Sequence, residues 1–290
     1  MRPKLLITDL DNTLYDWVTF FTASFRSMVE ELSVLIQVQE ESILNEFKTV
    51  HQRYGNSEQP YAVLELPSIQ NRFHSQTRDE VLRQIDPALH RFNSVRKRTL
   101  ALYDGVIETL GELREAGVKI VGHTEAIVAN SHWRLQTLAI ENYFSRLYTL
   151  EGKDAIHTSP NRRWIDPPKG FVVVVPREER KPNPRLLMDI CQREGVDLTS
   201  TYYLGDSLVR DVAMAKQAGV TAIWARYGTK YDPDCWTYLV KITHWTDEDV
   251  NREKDLKVKY GAVTPDYTID SFSELKSIVL GTQTHSSHAQ

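Results

Sequence analysis

Cysteine is almost missing. Cys191 and Cys235 are the two in 290 residues, too few for a disulfide framework. Cys191 falls in an apolar helical pattern with Leu186, Leu187 and Ile190, which predicts a plain buried thiol. Long apolar runs are missing too. The longest, Phe171 to Val175, is strand-sized and far short of the roughly 20 residues that a bilayer span needs. Near the N-terminus the apolar run Leu5–Ile7 is broken at once by Asp9, so no secretory core forms and a cytoplasmic location is expected. Charge of one sign is not in excess: the net charge is −4, which gives no global field to recruit nucleic acid or an anionic membrane. No internal repeat is present. What remains is 41% hydrophobic and 26% charged residues, the composition of a globular protein, in a chain long enough for one large domain and a smaller companion.

From Asp104 onward, short β-branched runs alternate with helical patterns. Asp104 reads as an N-cap to a helix that Gly117 closes, and Val118 to Val121 as a strand. A helix through Trp133, Leu135 and Leu138 precedes a strand at Arg146 to Leu150. Asn183-Pro184 opens the next helix, because proline at the first helical position has its φ already set. Thr201 to Leu204 and Val220 to Ala225 read as strands around a helix over Leu208–Ala218, and Asp266 to Ile269 adds one more strand. This alternation predicts a doubly wound α/β fold with a parallel sheet, of which Leu5 to Thr8 is the first strand. Between that strand and Leu102 the pattern is helical, as in Phe21, Phe25, Met28, Val29 and Leu32, with Asp86-Pro87 as a break. The expected organisation is a core over 1–16 and 103–280, an inserted all-α domain over 17–102, and a polar disordered tail over 281–290. Glu151 to Arg180 and Thr229 to Thr264 exceed a minimal layout, and are expected at the mouth of a site or at an oligomer interface; the oligomeric state itself stays open.

In an open parallel sheet, ligands bind beyond the carboxyl ends of the strands, where strand order reverses. Four stretches deliver polar residues there: "DLDNT" with Asp9 and Asp11, "GHTEA" with Thr124, "RKPNP" with Lys181, and "GDSLVRD" with Asp206 and Asp211. These groups suit one reaction, phosphoryl transfer, which needs a nucleophile, a cation and a proton donor. Asp9 is placed to attack phosphorus and form an aspartyl-phosphate. Asp11 can protonate the leaving oxygen and then activate water. Crowded carboxylates require a cation, and a hard ion such as Mg²⁺ meets that need. Its expected ligands are the Asp9 side chain, the Asp11 main-chain carbonyl and Asp206, with Asp211 ligating directly or through water. Thr124 and the amides from Glu125 onward are expected to hold phosphate oxygens, with the Glu125 carboxylate turned away. Lys181 supplies a compact positive charge.

"DLDNT", the strand-end "HT", "KPNP" and "GDSLVRD", in that order, resemble the four motifs of the haloacid dehalogenase (HAD) superfamily. The likeness implies a Rossmann-like core, the same roles for Asp9, Asp11, Thr124, Lys181, Asp206 and Asp211, and Mg²⁺ as cofactor. A second aspartate in the first motif is what its phosphatases have and its dehalogenases lack, so Asp11 implies phosphate chemistry. The length between the first and second motifs implies a mobile helical cap there, closing over the nucleophile to exclude water. The expected activity is hydrolysis of a small phosphorylated metabolite. A phosphotransferase or sugar-phosphate mutase could use the same core, and a phospho-receiver module also combines Asp, Thr, Lys and Mg²⁺. A receiver, however, carries its acidic pair on an earlier strand than its phosphorylated aspartate, the reverse of the order here.

Other polar residues read as structural. His123 neighbours Thr124 on a strand and so points the opposite way. Asn12 and Ser207 suit side chain–backbone bonds that order loops. Arg96, Lys97 and Arg98 read as a solvated face, the aromatics from Tyr227 to Trp245 as packing, and Arg72, His74 and Arg78 as open candidates for reading a substrate.

Overall fold

A computed structural model describes residues 3–152 and 166–281. The expectation of a disordered tail therefore lies outside the described residues beyond Gly281, as does most of the Pro-rich stretch before Phe171. Seven parallel strands form one sheet: β1 (Leu5–Thr8), β2 (Lys119–Ile127), β3 (Arg146–Leu150), β4 (Val172–Val175), β5 (Thr201–Gly205), β6 (Thr221–Ala225) and β7 (Tyr267–Ile269). Their spatial order is β4-β3-β2-β1-β5-β6-β7. The order turns around at β1, which pairs with β2 on one side and β5 on the other. The crevice predicted for a ligand thus lies beyond the ends of β1 and β5.

β1 is the hydrophobic centre, with Leu5, Leu6 and Ile7 wholly buried and each side chain stabilising the fold by about 2 kcal/mol. Alternation along the strand sends Leu5 and Ile7 into one apolar cluster and Leu6 into another, as a sheet covered on both faces requires. The helices are α1 (Trp17–Ile36), α2 (Glu40–Tyr54), α3 (Pro67–Arg72), α4 (Arg78–Thr99), α5 (Val106–Glu115), α6 (Val128–Thr137), α7 (Pro184–Glu194), α8 (Ala213–Ala218), α9 (Pro233–Ile242), α10 (Asp247–Tyr260) and α11 (Leu275–Leu280). Leu5 and Ile7 pack with α7 and α8 through Leu187, Ile190, Met214 and Ala215. Leu6 shares its cluster with Leu110 and Leu113 of α5 and Val279 of α11.

Two local expectations need correction. Asp86-Pro87 does not break a helix: α4 runs from Arg78 to Thr99 with Pro87 inside it. Proline costs one backbone bond, but Val81, Ile85, Ala88, Leu89 and Phe92 form a continuous buried stripe that holds the helix together across that gap. Asp104 is not the cap of α5 either; Gly105, with φ 78°, occupies that position, a left-handed conformation that glycine adopts without strain.

Between β1 and α5 the described chain forms α1 to α4, with a 3₁₀ turn at Pro60–Glu65. This insert shares its apolar cluster with the core: Phe21, Phe25, Phe47 and Phe92 are contiguous with Leu239 and Ile242 of α9. The stretch after Thr229, unplaced in a minimal layout, thus forms a strut against the insert. Lys48 Nζ donates to the Val240 carbonyl (3.3 Å), His51 Nδ1 to the Ile242 carbonyl (2.6 Å) and Gln52 Nε2 to the Trp245 carbonyl (2.9 Å). Ser57 Oγ accepts from the His244 amide at 2.9 Å, and on the far side Arg177 donates to the Gly55 carbonyl at 2.6 Å.

His51 is a pH-sensitive member of this seam, as is His244, whose pKa burial also lowers to about 4. His51 is wholly buried beside the Phe25 and Phe47 rings, and its Nε2 has no hydrogen-bond partner. Burial lowers its pKa to about 4 although the Ile242 carbonyl opposes the shift. The unfolded chain therefore takes up the proton first, and the stability from neutral His51 is full above pH 6.5 and drains away as pH falls toward 4. Relative to a His51→Gln variant, the wild type is expected to lose about 2 kcal/mol between pH 7 and pH 5. Urea midpoints at the two pH values, in chelator, give the comparison; parallel midpoints for the two proteins would contradict it.

Candidate active site

The ends of β1 and β5 carry the acidic residues. Asp9 follows β1, and its amide donates to the Leu204 carbonyl of β5 at 2.8 Å, which fixes the two strand ends side by side. Asp206 follows β5. Asp211 lies in the π-helical turn Leu208–Val212 that leads into α8, an irregularity frequent at functional sites. Carboxylate oxygens of Asp9, Asp206 and Asp211 all lie within 4.8 Å of one another. Lys181, also buried, reaches in from the loop before α7, with Nζ 2.5 Å from Asp9 Oδ1 and 2.9 Å from Asp211 Oδ1. Thr13 Oγ1 donates to Asp9 Oδ2 at 3.3 Å.

Three carboxylates against one ammonium leave the cluster short of positive charge. Burial pushes the Asp9 carboxyl up to about 7, against the pull of Lys181, with Asp211 and Asp11 adding to the rise. Burial, then the charges of Asp211 and Asp9, drive Asp206 well above the carboxylate range. Burial opposes the Lys181 charge, yet Asp211 and Asp9 hold its pKa well above that of a free lysine. A compact divalent cation would relieve this excess, and an all-oxygen donor set suits a hard ion of the Mg²⁺ class.

Glycine lets the loops close over the cluster. A Cβ on Gly205 would meet the Asp211 carboxylate carbon at 2.4 Å, and one on Gly228 would meet the Asn12 carbonyl oxygen at 1.9 Å and Asp206 Cβ at 2.9 Å. The second contact is with backbone, which cannot swing aside. Gly228→Ala is therefore expected to destabilise the protein by about 1–3 kcal/mol and to lower turnover by prying apart the loops that hold Asp9 and Asp206. Thermal melting with steady-state assay checks both, and unchanged turnover would contradict the argument.

Thr124 is buried in β2, two residues beyond Gly122, the partner of Thr8 in β1. It therefore sits at the same end of the sheet as Asp9, with Oγ1 accepting from the Ala126 amide at 3.1 Å. β2 runs on past Thr124 to Ile127, through a shift in register against β3. The Glu125 carboxylate faces the neighbouring loops. Oε1 accepts from the Lys181 amide (2.9 Å) and Oε2 pairs with Arg210 (3.4 Å), so it ties the end of β2 to the loop before α7 and the turn after β5. Its side chain is thus committed to scaffolding. Asp11 stands apart from the acidic trio: Oδ1 accepts from Tyr15 Oη and from Arg134 Nη1, both at 2.7 Å.

A family model for haloacid dehalogenase-like hydrolases matches residues 3–219. The chain belongs to this family. A second HAD-hydrolase-like model matches residues 179–275. Among curated relatives, glyceraldehyde 3-phosphate phosphatase of Methanopyrus kandleri is 24% identical over 95% of this chain and 97% of its own. Phosphoglycolate phosphatase of Pseudomonas savastanoi pv. phaseolicola is 28% identical over 78% of this chain and 70% of its own. A solved 2-haloacid dehalogenase from Pseudomonas syringae pv. tomato superposes with TM-score 0.56 at 19% identity, covering 96% of this chain and 98% of its own. The HAD-hydrolase YfnB of Bacillus subtilis, solved bound to magnesium, gives TM-score 0.52 at 16% identity, covering 97% of this chain and 100% of its own. At these identities the two structures share the HAD fold.

Several residues at this HAD site escaped the motifs. Tyr203 of β5 donates to Asp211 Oδ1 at 3.2 Å and lays its ring 5.6 Å from Lys181 Nζ. Behind it, the buried His123 lies 3.2 Å from Tyr203 Oη; burial and the Lys181 charge hold its pKa well below the ordinary value, as befits a structural histidine. Arg134 is the largest omission. It is wholly buried on α6 and pairs with both Asp11 and Glu58. The local pattern Trp133-Arg134-Leu135 held one weak signal, an arginine between two apolar residues. Arg96, expected on a solvated face, lies over the Trp133 ring at 3.7 Å. Arg72, His74 and Arg78 are solvent-exposed around the α3–α4 turn. Asn12 and Ser207 do order loops, Asn12 Oδ1 accepting from the Trp17 amide (3.1 Å) and Ser207 Oγ from the Arg210 amide (3.3 Å). Both cysteines are free thiols, and no helix among the described residues is long and apolar enough to cross a membrane.

Proposed function

We propose that this HAD hydrolase is a Mg²⁺-dependent phosphatase, which releases phosphate from a small phosphorylated metabolite through an aspartyl-phosphate on Asp9. The observation that carries the reading is the Asp9 carboxylate at the end of β1, gripped by Lys181 and clustered with Asp206 and Asp211. The relatives named for phosphatase activity point the same way. An Asp9 oxygen attacks phosphorus, forming the acyl phosphate as the bond to the leaving oxygen breaks. Asp11 gives that oxygen its proton, then takes one from the water that attacks the phosphoryl group and frees Asp9. The Thr124 hydroxyl and the Glu125 amide hold phosphate oxygens. Lys181 keeps Asp9 oriented and offsets charge on the transferring group.

The cluster fits a metal because its charge is uncompensated and its donors are all oxygen. Asp9, Asp206 and Asp211, with the Asp11 carbonyl, would hold Mg²⁺, which when bound neutralises charge on the carboxylates and the phosphoryl oxygens. The helical insert acts as a cap that closes over Asp9 to exclude bulk water. Cation binding must displace protons from Asp9 and Asp206, whose pKa values are raised. The gain in melting temperature on adding Mg²⁺ is therefore expected to grow as pH rises from 5 to 8, and a gain independent of pH would contradict these ligands. The activity itself is tested with a panel of small phosphomonoesters, assayed for phosphate release with Mg²⁺ and with chelator. Turnover that disappears in chelator is expected; undiminished turnover in chelator, or none across the panel, would overturn the proposal.

A further inference from the structure

The guanidinium of Arg134 joins three separate parts of the chain. Nε donates to the Asn130 carbonyl one turn earlier on α6 (3.2 Å), Nη1 to Asp11 Oδ1 (2.7 Å) and Nη2 to Glu58 Oε1 (3.0 Å). Glu58 belongs to the helical insert, between α2 and the 3₁₀ turn, and its Oε1 also accepts from Trp17 Nε1 at 3.1 Å. Tyr15 Oη donates to the same Asp11 oxygen at 2.7 Å. A wholly buried guanidinium is tolerated only when its donors are paired, and here the two charged partners come from opposite sides of the seam.

We propose that Arg134 is a positioning residue for Asp11, and that Glu58 makes this positioning depend on the seating of the insert. Asp11 Oδ1 is occupied by two donors, which fixes the carboxylate plane and leaves Oδ2 for proton transfer. When the insert lifts, Glu58 leaves with it and Nη2 is stranded in a buried site. Arg134 then satisfies Nη2 by turning its whole fork onto Asp11, in the two-pronged geometry that arginine and carboxylate favour. That turn moves Asp11 off its orientation toward the leaving oxygen. Seating restores it. Arg96 over Trp133, one residue before Arg134, clasps the insert to the same turn of α6. Asp11 is thus aimed only when the site is covered.

This inference rests on the phosphatase reading, and its test separates the two. An alkyl phosphate needs a proton on its leaving oxygen, whereas an aryl phosphate expels a stabilised phenolate without one. The value of kcat/KM reports the steps up to phosphoryl transfer, so misplaced acid catalysis shows on the alkyl ester alone. Wild type, Glu58→Gln, Arg134→Lys and Arg134→Gln are compared on the best alkyl substrate and on an aryl phosphate. Glu58→Gln is expected to lose about tenfold and Arg134→Gln about a hundredfold on the alkyl ester, each with less than about threefold loss on the aryl ester. Arg134→Lys falls between them, because lysine keeps the charge but cannot span both carboxylates. Glu58→Gln is isosteric, so the test survives if Arg134→Gln does not fold. Equal losses on the two esters, or no loss in Glu58→Gln, would overturn the inference while the phosphatase reading stands. A wild type inactive on both esters would overturn the phosphatase reading, and this inference with it.

Discussion

Replacing Asp9 with asparagine is expected to cut phosphate release by about a thousandfold or more while leaving the protein no less stable. The two effects part because the side chain does two opposite things. In its proposed role as nucleophile, Asp9 has no substitute: Asp206 and Asp211 sit beyond the neighbouring strand end, and an amide oxygen is a poor nucleophile. As a buried charge, it is a burden on the fold, its pKa driven to about 7 by burial and by neighbouring carboxylates. The amide keeps the shape, can accept from Thr13 Oγ1 and removes one negative charge from the trio. Lys181 retains Asp211 at 2.9 Å. Acid-quenched labelling should show a phospho-enzyme in the wild type and none in Asp9→Asn, and thermal melting in chelator should be equal or higher for the variant. Activity within tenfold of wild type would exclude Asp9 as the nucleophile.

The contrast between Asp9 and Arg134 shows why part of this site was legible in the sequence. Asp9, Lys181, Asp206 and Asp211 each sit just past the end of a strand or near the start of a helix, and Thr124 lies near the same end of β2, so local pattern and sheet topology suffice to bring them together. Arg134 obeys no such rule. It lies in the last turn of α6, where an arginine usually faces water, and here it is wholly buried between Asp11 and Glu58. Its partners Asp11 and Glu58 come from distant parts of the chain. The strut formed by α9 was hidden for the same reason: its bonds to the insert use the carbonyls of Val240, Ile242 and Trp245, and a backbone acceptor leaves no mark on residue choice. Pro87 misled because proline's local rule is strong, yet a stripe of five buried side chains overrode it. The resemblance to HAD proteins implies a mobile cap. In this chain, lifting the insert away from α9 and the core would break those three bonds, the Arg177–Gly55 contact and the Glu58–Arg134 pair.

Lys181→Met is expected to produce the largest combined loss, in both activity and stability. Methionine matches the length of the stem but removes the one ammonium that touches Asp9 and Asp211. Removing one partner of a buried pair leaves the other charge uncompensated, at a cost of about 3–5 kcal/mol. The carboxyls can escape that cost by taking up protons. Asp9 is already raised to about 7 with Lys181 pulling it down; without that pull it rises further, and a neutral carboxylic acid does not attack phosphorus. Turnover should therefore fall by about a hundredfold or more at neutral pH and recover in part at higher pH as Asp9 ionises. Mg²⁺ should stabilise the variant more than the wild type, because no ammonium is left in contact with the acidic trio, and the excess should vanish in Lys181→Met/Asp9→Asn, where one carboxylate is gone. Melting curves over a Mg²⁺ titration of the single and double variants decide the point. A single variant with no larger Mg²⁺ response than wild type would show that Lys181 and the cation do not compensate the same charges.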